Sequence, residues 1–254
     1  MILVIDVGNS NVVLGLYKDD KLFRTARLST DKNKTEDDYC ALIYNIFKVS
    51  EIDEKEIDGA IISSVVPPLT LVMKGCVERL IGKTPFIVGP GIKTGLNLRI
   101  DNPAQAGSDI VADTVAAYHI YGGPIIAIDM GTATTMNVVL ENGSFIGGCI
   151  IPGVKISLNA LSSSAAQLPF ISFEAPENPI SSNTIDCMKS GIVFGYASMI
   201  DGMVERMSSQ LGFTPKVVAT GGMSSVIIPH CKSDIIINPN LLLDGLYILY
   251  MKNI

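Results

Sequence analysis

Ile2-Leu3-Val4-Ile5-Asp6-Val7-Gly8-Asn9-Ser10-Asn11-Val12-Val13 begins as an apolar run, breaks at an Asp-x-Gly turn and resumes as a second β-rich run. Ile2 to Asp6, Val12 to Tyr17 and Lys21 to Leu28, the last two joined by Lys18-Asp19-Asp20, predict a strand followed by a hairpin. The pattern returns later in the chain. Pro124 to Asp129, Ala133 to Leu140 and Ser144 to Ile151 read as three further strands, the last two joined by Glu141-Asn142-Gly143. Ile5-Asp6-Val7-Gly8 falls over Ile128-Asp129-Met130-Gly131 at an offset of 123 residues, and Ala60-Ile61-Ile62-Ser63-Ser64 has its counterpart in Val217-Val218-Ala219-Thr220-Gly221-Gly222. One Asp-x-Gly is an ordinary turn, but strand, turn and hairpin recurring in order mark a duplication. The expectation is an α/β chain of two similar halves, 1–115 and 116–254.

Around these repeats, apolar spacing near 3.6 after Thr35 predicts a helix over 35–48, and Ala60 to Val66 predicts a buried strand ended by Pro67-Pro68. Gly89 to Asp109 is rich in Gly, Pro and Asn without sustained periodicity and reads as a long loop leading into a helix at Asp109. Ser182 to Leu211 reads as a helix whose Gly191 and Gly195 suit close packing, within the chain or at a subunit interface.

Composition narrows the function. With 254 residues, 48% apolar and 17% charged, the chain has material for a sizeable core. Its net charge is −6 and its Lys and Arg residues are scattered, which argues against a nucleic-acid partner. A small anionic ligand is still compatible, because backbone N–H groups and a metal can supply a local positive field. Five widely spaced cysteines and two histidines suggest neither a disulfide framework nor a zinc site, but buried, reduced thiols in a reducing cytosol. The N-terminal run lacks a basic segment and no stretch reaches 18 apolar residues, so neither a signal peptide nor a membrane span is expected.

The candidate chemistry sits in the turns. At Asp6-Val7-Gly8-Asn9-Ser10 the glycine would let backbone N–H groups approach a phosphate, and Asp6 would orient a hydrated Mg2+; an ordinary Asp-Gly-Asn turn is the alternative. Asp129-Met130-Gly131-Thr132-Ala133-Thr134-Thr135 is the second copy, with three hydroxyls for phosphate oxygens. Two such loops across a cleft would clamp a triphosphate. Thr220-Gly221-Gly222 permits close approach of a flat ligand, or is a generic turn. Asp109 and Asp113 fall on one face of a helix. Asp109 is a candidate proton acceptor or a helix N-cap, and Asp113 a solvated or structural group. His119 and His230 receive no role.

Asp6-x-Gly-Asn-Ser, Ser63-Ser64-Val65-Val66-Pro67-Pro68, Asp101-Asn102-Pro103, Gly107-Ser108-Asp109, Asp129-x-Gly-Thr-Ala-Thr-Thr, Gly147-Gly148, Pro152-Gly153 and Leu168-Pro169 form an ordered set that resembles type III pantothenate kinases. The resemblance implies a duplicated actin-like (ribonuclease H-like) ATPase fold, two halves of mixed sheets flanked by helices. It implies ATP-dependent phosphorylation of pantothenate by a cytoplasmic homodimer needing Mg2+ with ATP and a monovalent cation, K+ or NH4+. Transferred onto this chain, Asp6, Val7, Gly8, Asn9, Ser10, Asn11, Val12, Val13 and Thr132 would bind ATP, with Asp6 holding Mg2+ through the nucleotide. Asp109 would be the base, Asp129 would bind the monovalent cation, and Gly107, Ser108, Asp109, Ile110 and Thr184 would line the pantothenate pocket. The family's usual Gly-Ala-Asp-Arg is Gly107-Ser108-Asp109-Ile110 here, so an arginine that would pair a substrate carboxylate is aliphatic. A position that is often Tyr before Asp-Asn-Pro is Ile100. Arg99 or a second subunit would have to supply the missing cation. The competing expectations are a kinase of the same fold for another hydroxylated molecule and a non-catalytic nucleotide-binding regulator.

Overall fold

A computed structural model describes residues Met1–Ile254. In chain order the elements are β1 (Ile2–Val7), β2 (Asn11–Lys18), β3 (Lys21–Ser29), α1 (Glu36–Val49), β4 (Gly59–Ser64), α2 (Pro67–Ile81), β5 (Phe86–Ile87), β6 (Asn97–Leu98), α3 (Ser108–Tyr121), β7 (Ile125–Met130), β8 (Ala133–Val139), β9 (Ser144–Pro152), α4 (Val154–Ser164), α5 (Thr184–Leu211), β10 (Lys216–Thr220), α6 (Ser224–Ile227), β11 (Ile236–Ile237) and α7 (Leu241–Asn253). They build two mixed sheets of order β3-β2-β1-β4-β5 and β11-β10-β7-β8-β9-β6. Two compact units result: Met1–Leu96 with Asp101–Ala116 and Asn240–Ile254, and Asn97–Ile100 with Ala117–Pro239. The repeat alone would leave 240–254 in the second half, whereas α7 packs on β1 and β4 of the first unit.

In the first unit, strand alternation sorts β1 between two cores. Leu3, Ile5 and Val7 face Tyr39, Ile43 and Phe47 of α1 and Leu69, Met73 and Val77 of α2. Val4, with Ile61 of β4, faces Val111, Ala112 and Val115 of α3 and Leu243, Leu246 and Leu249 of α7. The same alternation puts Asp6 and Ser63 on the α3 side, which decides where the first copy's polar groups gather. Thr35 caps α1 in a capping box with Asp38, and Pro67-Pro68 open α2 where an N–H is dispensable.

In the second unit Ile126, Ile128 and Met130 of β7 and Met136 and Val138 of β8 pack on Val154 and Leu158 of α4 and on Met188, Ile192, Val193 and Ile200 of α5. The duplication holds to the residue: β1 and β7 occupy the same span at the 123-residue offset. Asp6 pairs with Ser63 on the parallel neighbour and Val13 on the antiparallel one, while Asp129 pairs with Thr220 and Thr135.

The span 89–109 is not purely a loop. Asn97–Leu98 adds a two-residue strand parallel to β9, and Pro103–Gln105 form a 3-10 turn; elements this short leave no periodic signal. All five thiols are unpaired, but only Cys40 and Cys76 are buried, and Cys187 is exposed. No helix is long and apolar enough to cross a membrane.

Candidate active site

The first unit's turn lies between β1 and β2, and its loop is pinned from β3. Gly8 N–H donates to Asn11 O at 3.0 Å. Thr30 Oγ1 donates to Gly8 O at 2.6 Å and Thr30 N–H to Ser10 O at 3.1 Å. Asn9 and Ser10 are exposed, whereas Val7 and Val12 are sealed in the core, so of that pair only backbone is available to a ligand. Ser63 Oγ donates to Asp6 Oδ1 at 2.9 Å and lies 3.0 Å from Ser108 Oγ, which accepts the Ser64 N–H at 3.0 Å. Sequence reading gave Ser63 no role. The register of β1 on β4 is what reveals it.

Asp109 is not the N-cap of α3. The helix starts at Ser108, its first turn closes with Val111 N–H to Gly107 O at 3.0 Å, and Asp109 sits inside that turn. Its Oδ1 accepts the Ile110 N–H at 2.8 Å. A Cβ on Gly107 would come within 2.5 Å of that oxygen, so glycine there makes room for the carboxylate. Burial pushes the Asp109 carboxyl above the usual carboxylate range, against the pull of the Ile110 N–H. A carboxylate so desolvated is a better proton acceptor than one in water. Asp113 is 3% exposed and so a buried group, not a solvated one.

The second unit's turn is restrained differently. A Cβ on Gly221 (φ +88°) would fall 2.5 Å from Asp129 Oδ1 and 2.6 Å from the Met130 backbone, so the turn that passes beside the Asp129 carboxylate is one only glycine can make. A Cβ on Gly153, at the head of α4, would lie 2.1 Å from Thr132 O. Of the three hydroxyls expected to serve phosphate, Thr132 is exposed and Thr135 accepts from Asn137 Nδ2 at 3.0 Å. Thr134 faces the interior with its Oγ1 unpartnered, because β8 turns alternate residues inward. Thr184 is exposed in the first turn of α5, after the Asn183 cap.

Nowhere do three or more His, Cys, Asp or Glu side chains gather as a metal cage. Mg2+ fits Asp6 without one, since it settles for one or two carboxylates with phosphate oxygens and water.

A doubled Asp-x-Gly strand-and-hairpin unit, with a desolvated carboxylate opening a helix beside the first copy, is the build of a small-molecule kinase on the actin-like ATPase fold. Solved structures agree on the fold: a Campylobacter jejuni protein of the Baf family superposes with TM-score 0.62 at 19% identity, covering 99% of this chain and 98% of that one. The inorganic polyphosphate/ATP-glucomannokinase of Arthrobacter sp. strain KM superposes with TM-score 0.52 at 13% identity, covering 98% of each. The family model for type III pantothenate kinase matches residues 2–206. The type III pantothenate kinase of Halalkalibacterium halodurans is 44% identical over 254 residues, spanning 100% of both chains. This chain belongs to the type III pantothenate kinase family.

Proposed function

We propose that the chain transfers the γ-phosphoryl group of ATP to the hydroxyl of pantothenate, giving 4′-phosphopantothenate on the way to coenzyme A. The observation that carries this reading is the 44% identity to a type III pantothenate kinase along the whole of both chains. Asp6 to Val13 and Thr132 hold ATP, Asp6 directs Mg2+ at its phosphates, and Asp109 takes the hydroxyl proton as the bond to phosphorus forms. Gly107 to Ile110 and Thr184 line the pantothenate pocket, and Asp129 holds K+ or NH4+. The raised proton affinity of Asp109 supports its part. The working form is a cytoplasmic homodimer. Gly191, Gly195 and Gly202 of α5 support that form, since each would carry a Cβ into open space and none is used for packing inside the chain.

Mass spectrometry of the product from pantothenate, Mg2+ and ATP, in potassium and in sodium buffers, tests the reading. Product in potassium that falls away in sodium is expected, and no product from folded protein in either buffer would overturn it. Ile110 favours a second reading, another hydroxylated acceptor without a carboxylate for an arginine to pair; a substrate panel in which pantothenate alone is phosphorylated would remove it.

A further inference from the structure

Three hydrogen bonds in the first unit form a chain whose proton count has one solution. The Ser64 backbone N–H can only donate, so Ser108 Oγ accepts there at 3.0 Å. With Asp6 ionised, as holding Mg2+ requires, its carboxylate can only accept, so the single Ser63 hydroxyl proton goes to Oδ1 at 2.9 Å. The 3.0 Å contact of the two serine oxygens is then made by the Ser108 hydroxyl donating to Ser63 Oγ. The order is Ser64 N–H to Ser108, Ser108 to Ser63, Ser63 to Asp6. Ser63 is fully buried and Ser108 is 8% exposed, so water cannot readily replace either link.

This relay joins three elements at the tip of the sheet. Asp6 is next to last in β1, Ser63 and Ser64 end β4, and Ser108 is the first residue of α3, one position before Asp109. It occupies Oδ1 of Asp6, while Oδ2 lies on the side of the Gly8 turn, 3.6 Å from where a Gly8 Cβ would be. It also holds the first turn of α3, and hence the Asp109 carboxylate, in fixed relation to Asp6.

We propose that Ser63 and Ser108 are positioning residues for phosphoryl transfer: a buried hydroxyl relay orients Asp6 for the metal–nucleotide and locks Asp109 to the same frame. The proposal rests on the reading of Asp6 and Asp109 given above.

Calorimetric titration of ATP at a series of Mg2+ concentrations, with Tm recorded for each protein, tests it without requiring turnover. Ser63→Ala should raise the Mg2+ concentration for half-maximal ATP affinity about tenfold, the scale of one hydrogen bond to a charged group. Ser108→Ala should raise it less, and the double variant should be no worse than Ser63→Ala, because links in series do not add. Ser63→Thr should restore the wild-type value, since Thr220 fills the matching register position of the second unit, where it is 3% exposed. Unchanged Mg2+ dependence in Ser63→Ala, or additive effects in the double variant, would overturn the relay. If Ser63→Ala does not fold, Ser108→Ala and Ser63→Thr decide: an unshifted Mg2+ curve in Ser108→Ala overturns the relay, and a shift in Ser108→Ala with none in Ser63→Thr supports it. Wild-type protein that binds Mg2+ and ATP but phosphorylates no pantothenate would instead sink the functional reading.

Discussion

The two Asp-x-Gly turns end strands that match residue for residue, yet the contacts that crowd them differ. Around Asp6, hydroxyls join the backbone bonds of the loop: Ser63 on the carboxylate and Thr30 on the loop carbonyl. Around Asp129 the backbone closes in, with Gly221 against the carboxylate and Gly153 against the carbonyl of Thr132. A loop held by hydroxyls loses about one hydrogen bond for each substitution, roughly 1 kcal/mol. A loop held by close backbone approach tolerates no Cβ. The first turn therefore offers hydroxyls whose bonds can be removed one at a time, and the second offers glycines that admit no side chain.

The copies also differ in chemistry, which gives the largest expected effect. Only the first unit sets a desolvated carboxylate at a helix start beside its turn. Asp109→Asn should therefore lower kcat by about 10²- to 10⁴-fold, the usual worth of a general base, with ATP affinity by calorimetry unchanged. A variant that keeps more than a tenth of wild-type kcat would place the base elsewhere.

Next come the glycines. Gly153→Ala and Gly221→Ala should each cost about 1–3 kcal/mol in urea unfolding, the first from overpacking against Thr132 O and the second from a left-handed φ combined with contact on Asp129. Gly8→Ala needs no left-handed backbone, and its nearest neighbour, Asn11 O, is 3.2 Å away, so it should cost a fraction of that and raise the KM for ATP. Equal losses in all three would erase the contrast between copies. A smaller effect is expected at the first loop's pin: Thr30→Val removes the bond to Gly8 O, costs about 1 kcal/mol and weakens ATP binding severalfold.

These contrasts show how far sequence reading reaches. The strand, turn and hairpin repeat is carried by contiguous residues, and its offset locates both turns. Which hydroxyl serves which turn depends on contacts that the local sequence does not carry: Ser63 meets Asp6, 57 residues away, only through β1–β4 register, and Thr134 turns inward by strand alternation, with Thr135 on the opposite face and Thr132 in the turn before the strand. The place of Asp109 inside the first turn rather than at the cap was ambiguous because Gly107, which has no side chain, takes the position before the helix. The two-residue β6 is too short to carry a pattern, and α7, which packs on Val4 and Ile61 of the first unit, carries no signal in its own sequence about which sheet it covers.

The mildest test of the contrast is a stability measurement on the same carboxylate that gives the largest kinetic effect. Asp109 binds its proton more tightly folded than unfolded, because burial penalises the charged form. The folded state then holds more protons, so its stability is highest below the unfolded carboxylate pKa and falls as pH rises through that value to the raised folded one. Above both values the penalty is complete, and it is a cost of keeping a base desolvated. Asp109→Asn carries no such penalty. Its Tm should exceed that of wild type at neutral pH, with the gap closing as the pH falls into the ordinary carboxylate range. A gap of constant size across that range would mean that Asp109 is no more buried in effect than a surface carboxylate, and the raised proton affinity that suits it to accept a hydroxyl proton would be lost with it.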